Sequence, residues 1–276
     1  MFFNQSSLMV RLLLLSSLLL IYTTPLLAQT TPSQKTYTFL IYHKLSPGLT
    51  IQDALPVERE WRKINQAAVD EGKLEGWYMS VKQYTSNPDQ AEYDYVTRIV
   101  SREMAIKGAS PEAMTRIYGD SVKVKMADLQ KRDRATAPVV KMEIWETTDG
   151  TFAPGFAPDG SALLIIDRIR RRTPGADYEP LVAQMKQLNQ ERIKHNTLRG
   201  WDFANLVIPN GSEKGYELAS THYVANLSDV ANPLGTDSPA TSVQTYKKLR
   251  NQAAQTFDVV RQEVYRLMEF TTKPSK

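Results

Sequence analysis

The sequence predicts an α+β chain built from two tandem copies of one β-α-β-β-α-β unit. Three observations predict it: a match between the two halves, the same order of strand and helix periodicities in each, and a Gly/Pro-rich connector between them. Shifting the chain by 124 positions lays Leu40-Ile41 on Leu164-Ile165, Pro56 on Pro180 and Asn65-Gln66 on Asn189-Gln190. The same shift lays Leu74, Gly76 and Trp77 on Leu198, Gly200 and Trp201, with no gap. Further on, Tyr93-Asp94 answers Tyr216-Glu217, and Val139 to Trp145 answers Val259 to Tyr265. Thr148 to Gly160 is the connector. The first repeat is therefore assigned to residues 29–149, the connector to 150–160 and the second repeat to 161–276.

Each element has its own reason. Tyr37 to Leu45 is rich in β-branched and aromatic residues and short enough for a strand. From Pro56, a suitable first-turn residue, Val57, Trp61, Ile64 and Ala68 recur at helical spacing, and Gly72 ends the run. Gly76 to Tyr84 and Tyr93 to Val100 read as strands joined through the turn-rich Ser86-Asn87-Pro88-Asp89. Val122, Met126 and Leu129 give a second helix, and Val139 to Thr147 a last strand behind Pro138. In the second half, Val243 to Leu267 keeps helical spacing throughout, so periodicity alone reads one long helix. The match to the first half instead predicts a change from helix to strand near Phe257. The element order is the split unit called ferredoxin-like.

The N-terminus carries one cation, Arg11, then the apolar run Leu12 to Tyr22 and the small-residue end Thr23 to Ala28. That pattern predicts a signal peptide over residues 1–28, cleaved before Gln29, and export to the periplasm or the extracellular space. The apolar run is too short for a membrane span, so no stable span is expected after cleavage. The chain has no Cys and a formal net charge of +4. A small charge spread over the whole length does not fit a nucleic-acid partner, which calls for a concentrated basic face. No two of the three histidines have ligand spacing, so no metal motif is read.

Two ferredoxin-like units in one chain, each with a Leu-x-Gly-Trp junction (Leu74, Gly76, Trp77; Leu198, Gly200, Trp201), resemble the dimeric α/β-barrel superfamily in fused form. The resemblance implies two four-stranded sheets packed face to face as a single-chain α/β barrel, helices outside, and a lumen that often holds a ligand. The superfamily includes cofactor-independent monooxygenases, haem enzymes of the chlorite-dismutase and dye-decolorising-peroxidase kinds, and domains without known activity. The chain has no G-x-S-x-G, S-x-x-K, Walker or dinucleotide motif to narrow that range.

Strand alternation supplies the candidate site. Val140, Met142 and Ile144 form an apolar face suited to the helix layer, whereas Lys141, Glu143 and Trp145 point the other way, as do Arg261, Glu263 and Tyr265 in the second half. If the sheets close on each other, that face is the lumen. The candidate ligand-binding residues are Glu143, Trp145, Glu263 and Tyr265, with His43 near a barrel end. The competing reading is a structural network pairing Glu143 with Lys141 or Arg261. Trp77 and Trp201 read as core, and Arg168, Arg170, Arg171 and Arg172 as a solvated rim. No motif indicates a cofactor; His195 and His222 are the histidines a haem would draw on. The resulting expectation is an exported protein that binds a small amphiphilic molecule between its repeats. The alternatives are an oxygenase-like or haem-dependent enzyme of the superfamily and an envelope interaction protein.

Overall fold

The computed structural model describes residues 35–86, 92–211, 215–235 and 240–273, so the expected signal segment and the turn at 87–89 lie outside the described residues. Eight strands form one closed antiparallel barrel: β1 (Thr36–His43), β2 (Gly76–Thr85), β3 (Tyr95–Ser101), β4 (Val139–Phe152), β5 (Leu163–Arg171), β6 (Gly200–Ile208), β7 (Leu218–Val224) and β8 (Phe257–Phe270). Their order around the ring is β1-β3-β2-β8-β5-β7-β6-β4. The two facing sheets implied above are thus stitched edge to edge. β2 pairs with β8, as at Val81 with Arg266, and β4 pairs with β6, as at Thr151 with Trp201. Closure leaves no sheet edge to be covered.

Helices α1 (Ile51–Asp70), α2 (Pro111–Tyr118), α3 (Val122–Thr136), α4 (Glu179–Lys194), α5 (Ser228–Ala231) and α6 (Ala240–Thr256) complete the fold. Among the described residues, no helix is long and apolar enough to cross a membrane. Alternation along each strand divides the apolar residues between two cores. Trp77, Met79 and Tyr95 pack outward with Ala54 and Leu55 of α1, and Trp201 and Phe203 pack with Leu181 and Val182 of α4 and Leu249 of α6. Leu40, Val96, Leu164, Ile166, Ala204, Ala219 and Leu267 fill the barrel interior.

Several local expectations shift for identifiable reasons. α1 begins at Ile51 rather than Pro56, because the backbone N–H and hydroxyl of Thr50 both donate to Asp53 Oδ2 at 2.8 Å and fix the start one turn earlier. Gly72, at φ +69°, follows the helix as expected. The helix of the second half ends at Thr256 and β8 begins at Phe257. α2 went unread in the sequence; Ser110 Oγ caps it by accepting from the Ala113 N–H at 3.1 Å. β4 runs to Phe152, into the segment assigned to the connector. Val140 and Met142, expected under helices, are exposed instead.

The glycine of each Gly-Trp pair marks a close approach, though the approaching group is an aromatic ring and not a helix. A Cβ on Gly76 would meet the Tyr78 ring, and one on Gly200 would meet Phe152, its cross-strand partner. Aromatic cover of this kind compensates the missing side chain of a strand glycine.

Candidate functional site in the barrel interior

One end of the interior holds a dense ionic network. Glu143 lies opposite Leu40 on β1, so the alternation that turns Leu40 inward also turns Glu143 inward. Glu143 Oε2 accepts from the Tyr42 hydroxyl at 2.6 Å and from Trp145 Nε1 at 3.0 Å, while Oε1 accepts from the Tyr216 hydroxyl at 2.6 Å. Arg168 Nη2 donates to Tyr42 Oη at 2.8 Å, its Nε lies 3.5 Å from Glu263 Oε2, and its guanidinium sits 4.8 Å from the centre of the Trp145 ring. The Tyr93 hydroxyl bonds both Glu263 and, at 2.7 Å, the Tyr265 hydroxyl. At the rim Glu92 bridges Lys141 at 2.7 Å and Arg261 at 2.5 Å.

The charges explain the proton affinities. Burial alone would raise Glu143, but Arg168, Lys141 and the two tyrosine hydroxyls outweigh it and hold the carboxyl well below the usual range. Burial raises Tyr42, Tyr93, Tyr216 and Tyr265, so all four stay protonated as donors. Glu143, Trp145, Glu263 and Tyr265 are therefore brought together inside the barrel, each buried. His43 is not with them. It faces the helix layer, stacked on Tyr95 at 4.6 Å, with Nδ1 3.2 Å from the Ala137 carbonyl and Nε2 3.0 Å from Thr97 Oγ1. Arg168, read as part of a solvated rim, is the most central cation. The alternation Leu164, Ile166, Arg168 was the signal that could have found it.

The interior towards its other end is lined differently. Arg98 on β3 is buried and lies between Leu40 and Tyr78 on its neighbouring strands, with its guanidinium 5.3 Å from the centre of the Tyr78 ring. Its Nη1 reaches the Tyr223 hydroxyl at 3.5 Å, whereas its Nε is buried without a hydrogen-bond partner among the described residues. Ser80 Oγ, one step along β2 on the same face, is also buried and unpartnered among them. Asp202 on β6 faces Thr221. Burial pushes its carboxyl up to about 6, against the opposing effects of Thr221, Arg98 and Tyr223. Phe152 and Phe156 are stacked 6.0 Å apart and both meet the Tyr223 ring, at 5.8 and 5.5 Å. Asp202 went unnoticed in the sequence; the alternation that turns Trp201 outward was the signal that could have found it.

None of the three histidines faces the barrel interior. His195 is exposed, outside the barrel, in a cleft of about 640 Å³ between α4 and α6 whose lining mixes Gln187, Glu191 and Lys248 with Leu188, Leu234 and Leu249. His222 lies opposite Ile165 and Trp201 of the outer core, where burial and the Arg192 cation lower it to about 3 and keep it neutral.

No family model matches the sequence, and no curated protein matches it significantly. Solved structures do share the fold. A protein from Lactobacillus acidophilus NCFM described as a monooxygenase matches at TM-score 0.50 and 13% identity, over 87% of this chain and 97% of its own. One from Fusobacterium nucleatum, also described as a monooxygenase, matches at 0.51 and 6%, over 88% and 95%. A haem-binding protein from Thermus thermophilus matches at 0.44 and 8%, over 85% and 91%. The expected role as a simple binder of an amphiphile between the halves is corrected here. The better-matching structures are described as enzymes, and one end of the space between the halves is occupied by ionised and hydroxyl side chains. Sheet closure, strand order and the two matches at TM-scores 0.50 and 0.51 together make this a dimeric α/β-barrel fold, completed within one chain.

Proposed function

We propose that the chain is an oxygenase-type enzyme that works without haem on a hydroxyaromatic substrate, bound in the barrel around Arg98 and Asp202. The observation that carries this reading is the pair of buried polar atoms without a hydrogen-bond partner among the described residues, Arg98 Nε and Ser80 Oγ, on neighbouring strands, with the Arg98 cation acting on an Asp202 carboxyl raised towards neutrality. Buried polar groups without partners are rare enough to call for an explanation, and proton affinities shifted in this way cluster at functional sites. In this reading Asp202 takes the substrate's phenolic proton and Arg98 donates to the resulting oxyanion. Tyr78, Phe152, Phe156 and Tyr223 flank the ring. The aryloxide is the electron-rich form that dioxygen oxidises to a quinone: one oxygen atom replaces a ring hydrogen as the new carbonyl, the other leaves as water with the two hydrogens lost, and the substrate supplies all the electrons. The descriptions of the two better-matching structures as monooxygenases support the class. Glu143, Trp145, Glu263 and Tyr265 enter as the charged floor that binds the substrate's far end.

Oxygen uptake by the purified protein, with a panel of hydroxyaromatic compounds, tests the reading. Arg98→Ala and Asp202→Asn should each lower kcat/KM about a hundredfold or more with the circular dichroism unchanged. No uptake with any member of the panel, or uptake indifferent to both substitutions, overturns it.

We also infer that the two halves are ferredoxin-like β-α-β-β-α-β repeats from an internal duplication. The residue matches at a shift of 124 and the crossed bonds of Tyr93 to Glu263 and Tyr216 to Glu143 support this. Export with cleavage after Ala28 belongs to the same proposal; N-terminal sequencing of the protein from an exporting host should begin at Gln29.

A further inference from the structure

Outside the barrel, under α1 and α3, three side chains from separate parts of the chain converge. His43 ends β1, Glu58 lies in α1 and Asp133 lies in α3. One ligand atom from each can be chosen so that all lie within 4.8 Å of one another. His43 and Glu58 are almost fully buried, at 4% and 1% exposure. We infer that His43, Glu58 and Asp133 form a binding site for one divalent transition-metal ion of the Zn2+ or Mn2+ kind, lying between the barrel wall and the helices.

Four features of the cluster support this. A carbonyl can only accept, so the contact with Ala137 puts the proton on His43 Nδ1, and Nε2 accepts from the Thr97 hydroxyl at 3.0 Å, a rotatable donor that an incoming ion would displace. A metal-bound imidazole commonly holds its other ring N–H to a carbonyl in this way. The Tyr95 hydroxyl donates to Glu58 Oε1 at 2.7 Å, and the Trp61 indole to Asp133, so both carboxylates have the outer support that metal ligands use. Asp133 Oδ1 is buried and has no hydrogen-bond partner among the described residues. No cation forms an ion pair with Glu58 or Asp133 among the described residues, and Arg134 acts on Asp133 only from a longer range. Two carboxylates and a neutral imidazole thus stand together without a paired cation.

The donor set selects the ion. One imidazole with two carboxylates and no thiolate suits Zn2+ or Mn2+ better than a soft ion. With metal–ligand bonds of about 2.1 Å, ligand atoms around one centre stand roughly 3–4 Å apart, so only a small contraction is needed. Three protein ligands leave at least one position for water. Asp133 keeps part of its side chain open to solvent and gives an entry route. The bland alternative is a proton held between the two acids, which neutralises the cluster without any metal.

Calorimetric titration of the purified protein with Zn2+, and separately with Mn2+, decides between them. The background variant is His195→Ala, which removes the exposed imidazole. One ion per chain is expected, with an accompanying rise in Tm. Asp133→Asn and Glu58→Gln should each weaken binding at least tenfold and abolish that rise, with the circular dichroism unchanged. Should Glu58→Gln fail to fold, Asp133→Asn at its partly exposed helical position carries the test alone. Absence of saturable binding in the background protein overturns the inference, as does an affinity that the Asp133 and Glu58 substitutions leave unaltered.

Discussion

The Tyr216 hydroxyl donates a 2.6 Å hydrogen bond to Glu143 Oε1, so a side chain of the second half satisfies the buried carboxylate of the first. Tyr93 does the same for Glu263 in the opposite direction. Hydrogen bonds to charged groups are worth about 1.5–3 kcal/mol. Tyr216→Phe and Tyr93→Phe should each lower stability by about that amount, read as a fall in the urea midpoint at constant m.

Glu143→Gln keeps size and removes charge, leaving Arg168 buried with one carboxylate fewer. Breaking one side of a buried ion pair costs about 3–5 kcal/mol. Because the folded protein holds this carboxyl below its unfolded value, its contribution is complete above about pH 4.5 and disappears as acidification proceeds through the lower folded value. Thermal melts from pH 7 down to pH 3 should therefore fall more steeply for the wild type than for Glu143→Gln.

Glu58 behaves with the opposite sign. Burial pushes its carboxyl up to about 8, with Tyr95 opposing and Asp133 adding, from an ordinary 4.5. Between those values the folded chain holds a proton that the unfolded chain releases, so metal-free protein should lose stability as pH rises from about 4.5 to about 8. Glu58→Gln should flatten that slope. Equal slopes for the two proteins in chelator-treated samples would show that Glu58 is not the titrating group.

Asp202 as the base predicts a rate profile. A carboxyl near 6 must be ionised to accept a proton, so kcat/KM should rise with pH through about 6 and then level. Substituting Asn at this position should remove the rise along with most of the activity. A profile unchanged in shape would assign the ionisation elsewhere.

Phe152 lies over Gly200, and a Cβ there would run into its ring. Gly200→Ala should cost about 1–3 kcal/mol through forced displacement of that ring. Since Phe152 is substantially exposed and can move, the lower end is expected, and the double variant Gly200→Ala/Phe152→Ala should recover part of the loss.

Period-two alternation made part of the site legible. Lys141, Glu143 and Trp145 could be set against Val140, Met142 and Ile144, and the matching run put Glu263 and Tyr265 on the same face. Arg168 escaped because its neighbours Arg170 to Arg172 made it look like one of a basic run, whereas Arg170 and Arg172 pair outward with Asp258 and Arg171 with Glu217. The exposure of Val140 and Met142 was not legible, since which stretches of barrel wall a helix covers depends on loop paths. Glu58 and Asp133 had no signal at all: each sits in an ordinary helical pattern, and only the packing of α1 and α3 over the end of β1 brings them to His43.

The pairing of β2 with β8 has a consequence for how the molecule comes into being. β8 (257–270) is the last of the eight strands in chain order, so the ring cannot close before it has been made. Until that last strand arrives, β2 and β5 each present an unpaired edge, the kind of surface that recruits other chains. A stop codon before Phe257 would therefore do more than shorten the protein. It would leave a slit the length of the barrel wall, turning a closed shell into an aggregation template.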